Sequence, residues 1–89
     1  MSEWKPRDKN VKIGGIPWFA RMTDKARATA SGNSEGYIFP CPVDQSLLST
    51  AGIAPDDFLE MATRIKDDEK LVEEFKKKSK KKDWSDFRV

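Results

Sequence analysis

The chain has 89 residues, with 17 Lys and Arg against 15 Asp and Glu, a net charge of +2 and no histidine. That length builds one hydrophobic core and leaves no room for a second. Without histidine there are no imidazole metal ligands, triads or proton shuttles, and the lone Cys41 excludes an internal disulfide or a cysteine-built zinc site.

Residues 1–12 are polar and aperiodic apart from Trp4 and read as an N-terminal arm. A helical domain is expected over 13–75 and a lysine-rich tail over 76–89. Gly14-Gly15 interrupts the chain, but no GK[ST] follows it, so it is not a phosphate-binding loop. Pro17 suits a first helical position, where its missing N–H would be unpaired anyway. From there Phe19, Met22, Ala26 and Ala30 recur at helical spacing, with Ile16 nearby, which predicts an amphipathic helix over 17–31 closed by Gly32. Arg21, Asp24, Lys25 and Ala28 fall on the opposite, solvent-facing side.

Residues 32–41 carry an apolar centre, Tyr37-Ile38-Phe39, without the alternation of a strand and with no second strand to pair. They are expected to be packed irregular chain. Pro40 and Pro42 bracket Cys41 and bias it towards extended geometry. Pro42 opens a second helix to Ala51, with Asp44 in its first turn and Val43, Leu47, Leu48 and Ala51 as its apolar stripe. Gly52 closes it in a left-handed conformation, which folds Ile53 back on Leu48.

A third helix begins at Pro55, where Asp56 and Asp57 complement the positive helix end. It presents Phe58, Leu59, Met61, Ala62 and Ile65 to the core and pairs Glu60 with Arg64 on the surface. Asp67 or Asp68 caps a fourth helix with Leu71, Val72 and Phe75 inside, and Glu73–Lys77 and Glu74–Lys78 pairs outside. Beyond Phe75 the run KKKSKKK takes over, and Trp84 and Phe87 form a last turn that docks back at 84–87. The expected fold is all-α, a compact bundle of about four short helices with one packed irregular loop.

No apolar run approaches the ~20 residues needed to span a bilayer, and MSEWKPRDKN lacks the apolar stretch of a secretory signal. With one unpaired cysteine, a reducing cytoplasmic location is expected. Charge is segregated along the chain. Residues 1–30 carry seven basic and three acidic side chains, 31–69 two basic and eight acidic, and 70–89 eight basic and four acidic.

The stretch from Gly14-Gly15 through Arg21-Met22, Asp24-Lys25-Ala26-Arg27, Gly36-Tyr37, Cys41-Pro42-Val43-Asp44, Leu48 and Gly52-Ile53 to Phe58 resembles a bacterial family. It is the domain-of-unknown-function family numbered 5069, and a DKAR helix followed by a CPxD turn carries the likeness. The resemblance implies a compact helical bacterial domain. It implies no substrate, cofactor or catalytic residue.

Three clusters are candidate sites. Arg21, Asp24, Lys25 and Arg27 on the first helix offer several donors to an acidic partner or a phosphate, against the plainer reading of a solvated face of weak ion pairs. Cys41 sits at a helix N-cap, where the dipole favours an anionic sulfur, although a lone intracellular cysteine is commonly a small buried apolar residue. Asp44 lies one turn on, within reach of Arg21 or Lys25, so that Cys41 and Asp44 join the first cluster in a composite site. Lys76, Lys77, Lys78, Lys80, Lys81 and Lys82 present six charges to nucleic-acid phosphates, or are simply cations at a helix C-terminus.

The function expected from these residues is a non-catalytic binding or regulatory module for a protein or an anionic small molecule. A weakly specific nucleic-acid binder using the lysine run is the alternative, and a small enzyme with a reactive cysteine the third. No cofactor and no metal are expected.

Overall fold

Four helices form among the described residues: α1 (Phe19–Ser31), α2 (Pro42–Ala51), α3 (Pro55–Arg64) and α4 (Asp68–Lys78). The computed structural model describes residues 5–33 and 36–87, so that Trp4 and the rest of 1–4, 34–35 and 88–89 lie outside the described set. Among the described residues the sole extended pairing is an isolated bridge between Ile13 and Ile16. The fold is an all-α bundle.

Three phenylalanines from different helices meet at its centre. Phe19 of α1, Phe58 of α3 and Phe75 of α4 are all fully buried. Their rings pack edge to face, with centroids 5.6 Å apart for Phe19–Phe58, 5.0 Å for Phe19–Phe75 and 5.9 Å for Phe58–Phe75. Each such contact stabilises by about 0.5–1.5 kcal/mol beyond area burial. Met22, Leu47, Leu48, Met61 and Leu71 extend this core, and Trp84 returns along the chain to pack 5.8 Å from Phe75.

The start of α1 differs from the sequence expectation. Pro17 does not occupy its first position, because the Gly14-Gly15 turn (φ 60° and 83°) brings Ile16 N–H to Ile13 O at 3.0 Å and holds the chain in a reversal. Entry into the helix follows through Trp18 in a left-handed conformation, φ 73° and ψ −21°, so α1 begins at Phe19. A non-glycine residue there is strained by roughly 1–2 kcal/mol. Trp18 is held by its N–H donating to Lys9 O at 3.0 Å and its carbonyl accepting from Met22 N–H at 2.9 Å.

The face assignment of α1 is also corrected. Lys25 and Ala28, expected on the solvent side, are buried, and Ala30, expected on the apolar stripe, is exposed. α1 is covered over a wider arc than one stripe, because α3 packs along it while the N-terminus of α2 closes over Lys25.

Helices α2 to α4 follow their sequence signals closely. Cys41 is extended (φ −84°, ψ 172°) before Pro42. Gly52 is left-handed (φ 75°), and Ile53 N–H reaches Leu48 O at 3.0 Å. Of the two aspartates at the start of α4 it is Asp67 that caps, accepting from the N–H groups of Glu69 and Lys70 at 2.9 and 3.1 Å. The Glu60–Arg64 pair forms at 2.9 Å and Glu74–Lys78 at 3.9 Å, whereas no Glu73–Lys77 pair is present among the described residues. In the 32–41 loop Phe39 packs against Phe58, with centroids 6.0 Å apart, but Ile38 turns out to solvent, 70% exposed.

Candidate binding site

The basic and acidic residues of α1 do not act as one cluster. The helix sends them to two separate places. Asp24 and Arg27 face the N-terminal segment and the α3–α4 junction. Asp24 accepts from two of the three guanidinium nitrogens of Arg7, Nε and Nη2, each at 2.9 Å, and from the Arg7 backbone N–H at 2.8 Å. Arg7 also reaches Asp68 at 2.8 Å, and Arg27 reaches the same carboxylate at 2.9 Å. Arg27 further donates to Ala62 O at 3.1 Å and Ile65 O at 2.8 Å, carbonyls that the end of α3 leaves without helical partners. This network ties the segment around Arg7, α1 and α4 together. Burial pushes the Asp68 carboxyl up, but hydrogen bonds from Arg7 and Arg27 outweigh it and hold Asp68 below the usual carboxylate range. Asp24 and then Asp68, accepting its hydrogen bonds, raise the Arg7 guanidinium further.

Lys25 goes the other way, beneath the start of α2. Its ammonium lies 2.8 Å from Asp44 Oδ2, with the two side chains 4% and 0% exposed. Asp44 is satisfied from three sides, since it also accepts the Trp18 indole N–H at 2.6 Å and the Cys41 backbone N–H at 3.0 Å. The Cys41 contact is the return half of a capping box, so Asp44, in the first turn of α2, both caps that helix and anchors α1 to it. Lys25 Nζ donates in addition to Cys41 Sγ at 3.1 Å, and Cys41 is partly exposed. A chain of contacts therefore runs from the Trp18 indole through Asp44 and Lys25 to the cysteine sulfur.

Arg21 lies over the outside of this chain. Its guanidinium carbon is 5.6 Å from the Trp18 ring centroid and 5.5 Å from that of Tyr37, within cation–π range of both rings. It donates to Arg7 O at 3.3 Å, and no carboxylate among the described residues pairs with it. The next residue after Tyr37 is the exposed Ile38.

Of the composite site read from sequence, Lys25, Cys41 and Asp44 thus come together with Arg21 above them, while Asp24 and Arg27 belong to the structural network. Sequence reasoning passed over Trp18 and Tyr37. Two signals pointed to Trp18: an aromatic one residue after Pro17, and a polar ring nitrogen that requires a partner when buried. Tyr37 gave no signal beyond its apolar neighbours.

The lysine run is largely engaged by its own chain. Lys76 donates to Gly14 O at 2.6 Å, and Lys82 reaches Lys76 O at 3.1 Å and Lys77 O at 3.4 Å at the end of α4. Lys78 pairs with Glu74, and Lys81 with Asp86 at 3.1 Å while lying 5.9 Å from the Trp84 ring centroid. Lys80 lays its stem across Gly52. The Lys77 and Lys80 ammoniums have no partner among the described residues.

A cleft of about 530 Å³ between the Gly14 turn and α4 has Ile13 and Val72 on its walls, with Lys12, Lys76, Asp68 and Glu73 around them. Asp68 at its edge is held low by the arginines of the structural network. No group of three or more Cys, Asp or Glu among the described residues is placed to hold a metal ion.

The model of a family described as "Domain of unknown function (DUF5069)" matches residues 3–88. The chain belongs to this family. The match takes in the Arg7 segment and the lysine-rich end as well as the DKAR helix and CPxD turn, so the DUF5069 domain includes both the structural network and the Trp18–Cys41 site. No curated protein matches the chain. No helix among the described residues is long and apolar enough to cross a membrane.

Proposed function

We propose that this DUF5069 domain is a non-catalytic binding module that grips an acidic, partly apolar segment of another protein through Trp18, Arg21, Tyr37 and Ile38, beside Cys41. The observation that carries the reading is Arg21: a cation within reach of two rings, with no carboxylate among the described residues, while the most exposed large apolar side chain described, Ile38, follows Tyr37 in the chain. A guanidinium fixed in this way loses little side-chain freedom on binding and presents its fork to a carboxylate. Exposed Ile38, one residue after Tyr37, offers the apolar contact. The buried Lys25–Asp44 pair beneath supports the platform by fixing α1 against α2.

Catalysis finds less support, because the one buried carboxylate near Cys41 is already taken by Lys25, Trp18 and the Cys41 N–H. Nucleic-acid binding finds less support because the ammonium groups of four of the six lysines contact their own chain. A bacterial cytoplasm, reducing enough to keep the single thiol free, is the setting that suits the module.

The test is affinity capture from an extract of the native cell, comparing the wild-type domain with Arg21→Glu and Ile38→Asp. The expected result is a protein retained by wild type, lost by both variants and indifferent to nuclease. Equal capture by all three proteins, or capture that nuclease abolishes, would refute the reading.

A further inference from the structure

The Cys41 sulfur meets the buried Lys25 nitrogen, which Asp44 holds in place. Lys25 Nζ is 3.1 Å from Cys41 Sγ, and the lysine side chain is 4% exposed. Asp44 holds the nitrogen at 2.8 Å, and the Trp18 ring centroid lies 5.5 Å from it. Cys41 itself is partly exposed. Cys41 therefore borders solvent on one side, while the Lys25 nitrogen faces its sulfur from inside.

We propose that Cys41 and Lys25 are a covalent modification site, joined by a sulfur–nitrogen bond when hydrogen peroxide oxidises the sulfur. Peroxide first converts the Cys41 thiol to a sulfenic acid, its O–O bond breaking and one water leaving. The sulfur is now an electrophile. Lys25 passes a proton to Asp44, and the freed nitrogen lone pair attacks the sulfur. The S–N bond forms as the S–O bond breaks, and the departing oxygen leaves as water with the sulfenic proton and a second proton from nitrogen. Sulfur has lost an electron pair, the peroxide has ended as water, and the product is a sulfenamide. Sulfenic acids close onto backbone nitrogen in the same way, and here the buried side-chain nitrogen lies nearer than solvent thiols.

The structural consequence is a covalent tie between the middle of α1 and the N-cap of α2. The link also removes the buried ammonium opposite Asp44. A thiol reductant attacking the sulfur expels the amine and restores both residues.

The experiment exposes the folded wild-type domain to hydrogen peroxide, blocks remaining thiols with N-ethylmaleimide, and digests with trypsin without reductant. Lys25 bound to sulfur resists cleavage, so the expected product is peptide 22–27 joined to peptide 28–64, lighter by a pair of hydrogens. Its yield should match the loss of free Cys41 thiol, and dithiothreitol should release it. The link should be absent from protein oxidised in urea and from the Cys41→Ser and Lys25→Arg variants. Comparing folded with urea-treated wild type decides the matter even if Lys25→Arg does not fold. Three results would overturn the proposal: an unreacted Cys41, a Cys41 carried to sulfinic acid with Lys25 still cleaved by trypsin, or a link to any other lysine.

Discussion

Replacing Asp44 with alanine removes the acceptor on which three donors converge: the Lys25 ammonium, the Trp18 indole and the Cys41 backbone N–H. The last of these alone is a cap, whose loss costs about 0.5–2 kcal/mol. The larger effect is on Lys25, which keeps its charge in a site 4% exposed with no carboxylate to balance it. Breaking a buried pair in this way costs about 3–5 kcal/mol. Stability near 0.05–0.15 kcal/mol per residue is usual, so Asp44→Ala should remove a large fraction of what holds this domain folded. Urea unfolding followed by far-ultraviolet circular dichroism measures the loss. Lys25→Met should cost less, because the stranded carboxylate keeps its two N–H donors. Lys25→Met/Asp44→Leu should recover much of the Asp44→Ala loss, since paired apolar replacements of a buried ion pair are often neutral. A cycle between Asp44 and Arg21 should add to within about 0.5 kcal/mol. An Asp44→Ala loss below about 1 kcal/mol, or additivity between Asp44 and Lys25, would refute the assignment of this pair as the tie between α1 and α2.

Other expectations follow from single contacts. Trp18→Phe removes the indole N–H from Asp44 while keeping the ring, and should cost about 1.5–3 kcal/mol in the same urea assay. Because Arg7 and Arg27 hold Asp68 below the usual carboxylate range, its contribution is complete above the unfolded carboxyl value of about 3.9 and is lost as pH falls through the lower folded value. Asp68→Asn should therefore flatten the acid limb of a urea midpoint-versus-pH curve, and an unchanged slope would count against the network. Gly52→Ala meets a left-handed φ of 75° and places a Cβ 2.8 Å from Lys80 Cδ, so it should destabilise by about 1–2 kcal/mol. Lys80→Ala should relieve only the steric part of that loss.

Helix periodicity located all four helices because each buries a face against the same aromatic centre, and the Pro, Gly and Asp signals at the ends of α2 and the starts of α3 and α4 are local chemistry. The start of α1 was not legible, since a tight reversal at Gly14-Gly15, closed by the Ile13–Ile16 bridge, and a Trp18 N–H that reaches back to Lys9 O set it. Lys25 reads as a surface residue by type, and only the arrival of Asp44 from a separate helix makes its burial tolerable. The same holds for Asp24, whose partner Arg7 lies in a segment with no periodic signal at all, and for Arg27, whose partner Asp68 arrives on α4. Sequence spacing gives residues that share a helix face. It does not give the charge that another segment brings to meet them.

The central claim, that Arg21 and its aromatic neighbours form the recognition face, is tested most directly by selecting peptides from a random display library on the folded domain and titrating the winners. The account predicts ligands with a carboxylate beside an apolar residue, whose affinity falls at least about tenfold, or 1.4 kcal/mol, against Arg21→Glu and clearly against Ile38→Asp. Ligands without that pattern, or ligands that bind Arg21→Glu as tightly as wild type, would contradict it.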